Sequence, residues 1–144
     1  MPTITATDGT EIYYKDWGPK TAQPIVFHHG WPLSSDDWDA QLLFFVQRGF
    51  RVVAHDRRGH GQSGIPKGPY AVEDFGRDAL AIMDGLGLKT VNWCGLSMGG
   101  MVGQWLGANA PERIERIVMS NTHSYYTDKT VWDERMKLAQ DKGM

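Results

Sequence analysis

Apolar and polar residues along the chain alternate between the two-residue period of β-strands and the wider spacing of amphipathic helices. Two strand patterns, residues 3–7 and 11–17, flank an Asp-Gly turn dipeptide and predict a β-hairpin. Further strand patterns fall at residues 24–28, 51–56, 90–94 and 114–120. Helix patterns fall at residues 36–47, 72–86, 101–108 and 130–142. Strands and helices thus alternate after the hairpin, which predicts an α/β fold with a mostly parallel sheet of about six strands and helices on both faces.

The composition limits the size, the partners and the cellular location that we expect for this protein. The 144 residues are 41% hydrophobic, enough for one packed domain, and the net charge of −2 argues against nucleic acid and membrane surfaces as partners. The strand pattern begins at residue 3, so we expect no signal peptide and a cytoplasmic location. Cys94 is the only cysteine; it excludes an internal disulfide and is expected to be a small core residue. We expect neither a metal nor another cofactor.

A short glycine motif lies between the predicted strand 90–94 and the helix that follows it. Its sequence is Gly95-Leu96-Ser97-Met98-Gly99, the G-x-S-x-G pattern of the nucleophile elbow in α/β-hydrolases. Gly95 and Gly99 are expected to prevent side-chain clashes in a sharp turn. The Met98 N–H and the helix N-terminus would then stabilise an oxyanion. The motif predicts that Ser97 is a nucleophile that attacks a carbonyl carbon.

A second motif, His28-His29-Gly30-Trp31-Pro32, follows the predicted strand 24–28. A His-Gly turn at this place predicts that the Trp31 N–H is the second oxyanion donor, with His29 and Gly30 in supporting roles. The alternative is that His29 and Trp31 only pack the loop. The later run Asp56-Arg57-Arg58-Gly59-His60-Gly61-Gln62-Ser63 suggests a triad, but we expect it to be structural, tying the loop end of the sheet.

The chain resembles known families over nearly its whole length. Residues 1–66, with HHGWPLSSDDW and AHDRRGHGQS, are similar to cofactor-free bacterial haloperoxidases, or perhydrolase-esterases. Residues 68–144, with CGLSMGGMVGQWLGANAPERIERIVMSNT, are similar to 3-oxoadipate enol-lactonases. Both are α/β-hydrolases, and the resemblance implies a small ester or lactone substrate and an acyl-enzyme on Ser97. The change of relative near residues 66–69 leaves open an intermediate subfamily or a constructed chimera.

The resemblance also implies catalytic partners for Ser97 that are not evident in the chain. The family order is serine, then acid, then histidine, whereas the only later histidine is His123, and only Glu112 and Glu115 are acids between the two. His123 is a candidate substitute base, weighed against a loop or cap-contact histidine, and Asp128 is an alternative acid. We expect residues 1–125 to form a hydrolase core without its last two strands, and residues 126–144 to begin a cap.

Several functions are compatible with such a chain. The first is a carboxylic ester or lactone hydrolase, of which the 144 residues alone would be weakly active or inactive. Others are an inactive fragment or engineered assembly unit, one chain of a split hydrolase, and a cofactor-free haloperoxidase or perhydrolase. Because an unpaired strand edge promotes association, we also expect a complementary chain or self-association through residues 114–120 or 130–142.

Overall fold

The structure, a computed structural model, describes residues 2–143, and within that range it contains one β-sheet and four α-helices. The strands are β1 (Thr3–Thr5), β2 (Glu11–Trp17), β3 (Pro24–His28), β4 (Arg51–His55), β5 (Val91–Leu96) and β6 (Ile114–Ser120). The helices are α1 (Asp39–Val46), α2 (Val72–Gly85), α3 (Met98–Asn109) and α4 (Thr130–Lys142). Short 3₁₀ turns, Ser35–Trp38 and Pro111–Arg113, precede α1 and β6.

The sheet is mostly parallel, as the sequence predicts. The strand order is β1-β2-β4-β3-β5-β6. The β1–β2 and β2–β4 pairs are antiparallel, and the other pairs are parallel. The four parallel strands therefore end along one edge of the sheet, where His28 of β3 is paired with His55 of β4, and Leu96 of β5 with Ser120 of β6. The loops that leave this edge build the candidate site.

Helices cover both faces of the sheet, which confirms the predicted layers. On one face, α1 places Leu42 in a cluster with residues of β3 and β4, and Cys94 packs against that cluster. On the other face, α2 and α3 bury apolar side chains against β3, β4 and β5; the buried residues include Val26, Val53, Phe75, Ala79, Ile82, Met83, Trp93, Val102 and Leu106. Alternate residues of each strand therefore point to opposite cores.

Element boundaries differ from the sequence-based prediction near the first and third helices. The predicted helix at residues 36–47 begins as a 3₁₀ turn. At its start, the Ser34 hydroxyl accepts from the Asp36 N–H and the Asp37 carboxylate accepts from the Ser34 N–H. The helix predicted to begin at Met101 begins at Met98 instead, and β5 extends to Leu96. The glycines at 99 and 100 weaken the helical pattern in the sequence, although both are helical in the structure.

The outer edge of β6 is open among residues 2–143, since β5 is the only strand paired with it there. Val118 and Met119 on this strand are 58% and 50% exposed. Helix α4 also exposes apolar side chains, those of Val131, Met136 and Leu138. None of the helices in the described part of the chain has the length and apolarity that crossing a membrane requires.

The close contact between α2 and α3 leaves no space for a side chain at Gly76. A Cβ atom placed there would lie 2.1 Å from a ring carbon of Trp105, so Gly76→Ala should lower the free energy of unfolding by about 1–3 kcal/mol. Urea denaturation measures the change. Gly107→Ala is the matched control, because its nearest contact is the flexible end of Ile117 and alanine favours the helix. Equal effects of the two substitutions would contradict the packing described here.

Candidate active site

The backbone turns sharply from β5 into α3 at Ser97, which has φ 52° and ψ −112°. A positive φ at a residue other than glycine costs about 1–3 kcal/mol and persists only where neighbours enforce it. Here the Ser97 N–H donates to the Ser120 carbonyl at 2.8 Å, and the Thr122 hydroxyl donates to the Ser97 carbonyl at 2.7 Å. The end of β6 therefore holds the turn in its strained conformation.

Glycines allow the three segments around Ser97 to approach each other closely. A Cβ atom on Gly95 would lie 2.1 Å from the Gly99 carbonyl oxygen, and one on Gly99 would lie 2.2 Å from the His28 carbonyl oxygen. A Cβ atom on Gly30 would lie 3.3 Å from the Ser97 Cβ. The backbone after β3 thus packs directly against the turn that carries the serine.

Ser97 opens into a cavity of about 230 Å³ above the sheet edge. The cavity is lined by Trp31, Ser97, Met98, Met101, Tyr126, Lys129, Trp132, Asp133 and Met136. Within residues 2–143, neither the Trp31 N–H nor the Met98 N–H donates a hydrogen bond. The Met98 N–H also belongs to the first turn of α3, where the helix dipole favours negative charge. Two residues with unengaged N–H groups therefore border the cavity that contains the serine.

The side chain of His29 is buried behind the Trp31 loop and hydrogen-bonded through both ring nitrogens. Its Nε2 accepts from the Arg57 backbone N–H at 3.1 Å, so Nδ1 carries the proton and donates to the Gly30 carbonyl at 2.8 Å. Burial, together with the nearby Arg57 charge, lowers the pKa of His29 to about 4. His29 is therefore a neutral hydrogen-bonding bridge in this loop at neutral pH.

The loop after β4 has the structural arrangement that the sequence analysis expects. The Asp56 carboxylate accepts from the Ser35 N–H at 2.7 Å and from the Gln62 N–H at 2.8 Å. The Ser63 hydroxyl donates to the Asp56 carbonyl at 2.6 Å. His60 hydrogen-bonds to the Arg58 carbonyl through Nδ1, at 3.2 Å. These side chains are occupied in holding the loop, and none of them lines the Ser97 cavity.

The two weaker candidates for the catalytic base and acid do not line the Ser97 cavity. His123 borders a neighbouring groove that shares Met101, Tyr126 and Lys129 with that cavity, and its ring packs on that of Tyr126 with 5.2 Å between centroids. The Asp128 carboxylate accepts from the backbone and the hydroxyl of Thr130, at the start of α4. In the part of the chain that the structure describes, neither residue hydrogen-bonds to Ser97 or lines its cavity.

Sequence reasoning missed the side chains that complete the turn and the cavity wall. Thr122 binds the Ser97 carbonyl, and Trp132 of α4 packs on Trp31, with 6.2 Å between ring centroids. Tyr126 packs in turn on Trp132, at 5.9 Å. The only sequence signal was a group of aromatic residues at positions 125–132, and Trp132 of this group contacts Trp31 about 100 residues away.

A stacked histidine pair lies buried below the same edge. The rings of His28 and His55 are 4.6 Å apart at an interplanar angle of 19°, and Trp93 packs against His28. None of the four ring nitrogens has a hydrogen-bond partner within residues 2–143. Burial, then the charges of neighbouring groups, lowers the pKa of His55 to about 3 and that of His28 well below its usual value. Both histidines are therefore neutral in the folded chain at neutral pH.

The fold and the turn at Ser97 together define the class of protein. A parallel sheet covered on both faces, with a serine on a strained strand-to-helix turn, is the architecture of an α/β-hydrolase. The family model described as alpha/beta hydrolase fold matches residues 23–140. The chain belongs to this family.

Comparison with individual proteins identifies two groups of relatives. The chain is 58% identical over 100 residues to a non-heme chloroperoxidase of Burkholderia pyrrocinia, a match covering 69% of this chain and 36% of the relative. It is 32% identical over 142 residues to 3-oxoadipate enol-lactonase 2 of Acinetobacter baylyi, covering 99% of this chain and 52% of the relative.

Solved structures agree with the sequence matches. The enol-lactonase from Burkholderia xenovorans LB400 superimposes with a TM-score of 0.93 at 37% identity. The match covers 99% of this chain and 55% of that structure. The chain thus spans about a third to a half of the length of the curated relatives above, and about half of this solved one.

The buried histidines make stability depend on pH. The unfolded chain takes up protons at its histidines near pH 6.5, whereas His29 and His55 resist protonation until about pH 4 and pH 3. Between these values the unfolded state binds more protons, so the free energy of unfolding should fall as pH is lowered from about 6.5 toward 4. Urea midpoints measured from pH 7.5 to 4.5 test this expectation.

His55→Leu should make that slope shallower, because one of the buried groups is removed. His123→Ala, which replaces an exposed histidine, is the matched control. A slope unchanged by His55→Leu would contradict the assignment.

Proposed function

We propose that this chain supplies the nucleophile and the oxyanion hole of a cofactor-free hydrolase that acts on carboxylic esters or lactones. The observation that carries the proposal is that the Ser97 hydroxyl shares a cavity with two residues, Trp31 and Met98, whose N–H groups are unengaged within residues 2–143. Membership of the α/β-hydrolase family and likeness to an enol-lactonase support the proposal.

In the proposed reaction, Ser97 Oγ attacks the substrate carbonyl carbon and loses its proton to a base. The carbonyl oxygen becomes an oxyanion, which accepts hydrogen bonds from the Trp31 and Met98 N–H groups. Collapse of this intermediate breaks the bond to the leaving oxygen, which takes up a proton, and leaves an acyl-enzyme on Ser97. Water then attacks the acyl carbonyl and restores the serine, releasing a carboxylic acid.

We assign the role of general base to a histidine that is not among the groups hydrogen-bonded to Ser97 within residues 2–143. No hydrogen bond joins the Ser97 hydroxyl to another group within residues 2–143, and His123 borders a different groove. The family order places the acid and the histidine after the nucleophile, and the relatives are two to three times as long as their matched parts. We therefore propose that the base and the acid lie outside residues 2–143 in the whole protein, either on the same polypeptide or on a second one.

The cavity favours a small acyl group with apolar character. Its walls are mainly aromatic rings and thioethers, from Trp31, Met101, Trp132 and Met136. The volume of about 230 Å³ matches a short acyl chain or a small ring. We place the substrate among small esters and lactones for this reason.

Peracid formation is a second candidate function for the same serine. The observation that favours it is the 53% identity over 100 residues to a bifunctional esterase/perhydrolase of Acinetobacter calcoaceticus, a match covering 69% of this chain and 36% of the relative. In this reaction hydrogen peroxide replaces water as the attacker of the acyl-enzyme. Its oxygen bonds to the acyl carbon, the bond from that carbon to Ser97 Oγ breaks, and the serine regains its proton as a peroxycarboxylic acid is released.

The proposal divides the chain into a core, residues 1–125, and the start of a cap, residues 126–144. Trp132, Asp133 and Met136 of α4 form one wall of the cavity, opposite the core residues Ser97 and Met98. A cap that covers a site in this manner selects the substrate and excludes water. The open edge of β6 is the proposed place of contact with a further strand, from the whole protein or a second copy.

Ser97→Ala should lower the turnover of p-nitrophenyl acetate by at least about tenfold, because the nucleophile is lost while the oxyanion donors remain. The wild-type chain itself should be slow, since general-base assistance is worth about 10²–10⁴ in rate and no histidine hydrogen-bonds to the Ser97 hydroxyl within residues 2–143. Ser124→Ala and His123→Ala are the matched controls and should leave the rate unchanged. Equal rates for wild type and Ser97→Ala would contradict the proposed role.

The open edge of β6 should make the 144-residue chain self-associate. Unpaired N–H and C=O groups beside the exposed Val118 and Met119 form a template for a further strand. Light scattering after size exclusion should therefore show species larger than the 16.2 kDa monomer. The double variant Val118→Lys/Met119→Lys should shift the distribution toward monomer, whereas Leu43→Lys on α1 should not. A monomeric wild-type chain would contradict the expectation.

A further inference from the structure

Arg57 is a buried cation whose neighbours are neutral groups: its Nη2 lies 3.3 Å from His60 Nε2, and its guanidinium lies 5.3 Å from the centroid of the Phe75 ring. Its side chain is 1% exposed, and within residues 2–143 it forms no ion pair with a carboxylate. The neighbouring buried arginine, Arg58, pairs with Asp78 at 2.6 Å, and Arg51 pairs with Asp16 at 2.8 Å. Burying an unpaired charge costs several kcal/mol, so Arg57 is the exception among the buried arginines.

The Arg57 guanidinium donates instead to the backbone carbonyls that precede Trp31. Its Nη1 donates to the His29 carbonyl at 2.9 Å, and its Nη2 donates to the Gly30 carbonyl at 3.2 Å. The Gly30 carbonyl accepts two more hydrogen bonds, from His29 Nδ1 at 2.8 Å and from the Leu33 N–H at 3.0 Å. Three donors therefore converge on one carbonyl oxygen.

Because the peptide unit is rigid, the three hydrogen bonds that hold the Gly30 carbonyl also fix the direction of the Trp31 N–H. The Gly30–Trp31 peptide is trans and planar, so the Trp31 N–H points opposite to the Gly30 carbonyl. With the carbonyl turned toward the buried Arg57, the N–H faces away from it. Gly30 itself packs against Ser97, and Trp31 borders the Ser97 cavity. Rotation of this peptide would break three hydrogen bonds, so the donor is held in place before substrate arrives.

The charge of Arg57 also acts through the same peptide. A cation at the oxygen end of a peptide group polarises it and makes its N–H a stronger donor, as hydrogen-bonded chains do in a low-dielectric interior. Burial lowers the pKa of Arg57 to about 10, so the group is charged at neutral pH. The electrostatic effect is largest where water is excluded, as it is around this side chain.

We propose that Arg57 is a positioning residue that orients and polarises the Trp31 N–H for an oxyanion on Ser97. His29, which donates to the same Gly30 carbonyl, assists it. The inference rests on the proposed function, because it requires the oxyanion to form in that cavity. It assigns to Arg57 a role in reactivity beyond holding the loop, which Asp56 and Ser63 do through backbone hydrogen bonds.

A boronic acid provides a test that does not depend on turnover. Phenylboronic acid and the Ser97 hydroxyl form a B–O bond, the serine proton passes to buffer, and the adduct is a tetrahedral anion resembling the oxyanion intermediate. Its affinity and the ¹H–¹⁵N shifts of Trp31 and Met98 are measured for wild type, Arg57→Met, Arg57→Lys and Arg58→Lys. Thermal melts and amide spectra without ligand establish that each variant is folded.

Arg57→Met should weaken boronate affinity by about tenfold or more, within the range found when an oxyanion donor is disturbed. It should also abolish the boronate-induced shift of the Trp31 amide and preserve that of Met98, a pattern that general loss of stability would not produce. Arg57→Lys, which retains the charge but not the fork of donors, should give an intermediate loss. Arg58→Lys should retain wild-type affinity.

The outcomes separate the inference from the function on which it rests. If Ser97→Ala binds phenylboronic acid as wild type does, the proposed function fails. If Ser97→Ala abolishes binding while Arg57→Met keeps wild-type affinity and the Trp31 shift, the role of Arg57 is overturned. Should Arg57→Met not fold, Arg57→Lys decides in the same way: wild-type affinity and an unchanged Trp31 shift overturn the proposal.

Discussion

The close backbone packing around Ser97 is the constraint on which the rest of the structure depends. The turn places a serine at positive φ, a conformation that is costly by itself. It is held by a hydrogen bond from the Ser97 N–H to the Ser120 carbonyl and by one from the Thr122 hydroxyl to the Ser97 carbonyl. That arrangement requires β6 to lie beside β5 and the β3 loop to lie against the turn, with glycine at the points of contact. The parallel sheet and its helices thus serve to hold one short backbone segment in a strained conformation.

The Trp31 N–H, the second of the proposed oxyanion donors, is held by a longer series of contacts. Arg57 follows β4, His29 follows β3, and both reach the carbonyl before Trp31. Because β3 and β4 are adjacent and parallel, their carboxyl ends bring these side chains together, and the stacked His28 and His55 fill the space below them. The edge of the sheet therefore combines a buried, water-excluding interior with a few polar groups whose orientation is fixed by hydrogen bonds. Electrostatic interactions are stronger in such surroundings.

Much of this arrangement could be predicted from the sequence, and the rest depends on long-range contacts. The period of apolar residues predicts the α/β order, and the glycines around Ser97 predict a sharp turn, because both are local properties of the chain. The hydrogen-bond partners of Arg57 and Thr122 could not be predicted, since they lie 27 and 25 residues away. The strand order and the cavity wall from α4 likewise arise only when distant segments pack.

The most direct test of the central claim is the site at which a reactive phosphonate labels the folded chain. An alkyl fluorophosphonate phosphonylates a serine held beside oxyanion donors, and peptide mass spectrometry identifies the modified residue. We predict that Ser97 is the principal site, that it is labelled faster in the folded chain than in urea, and that Ser97→Ala removes the label. Labelling at other residues with Ser97 unmodified, or equal rates in the folded and unfolded chains, would contradict the account.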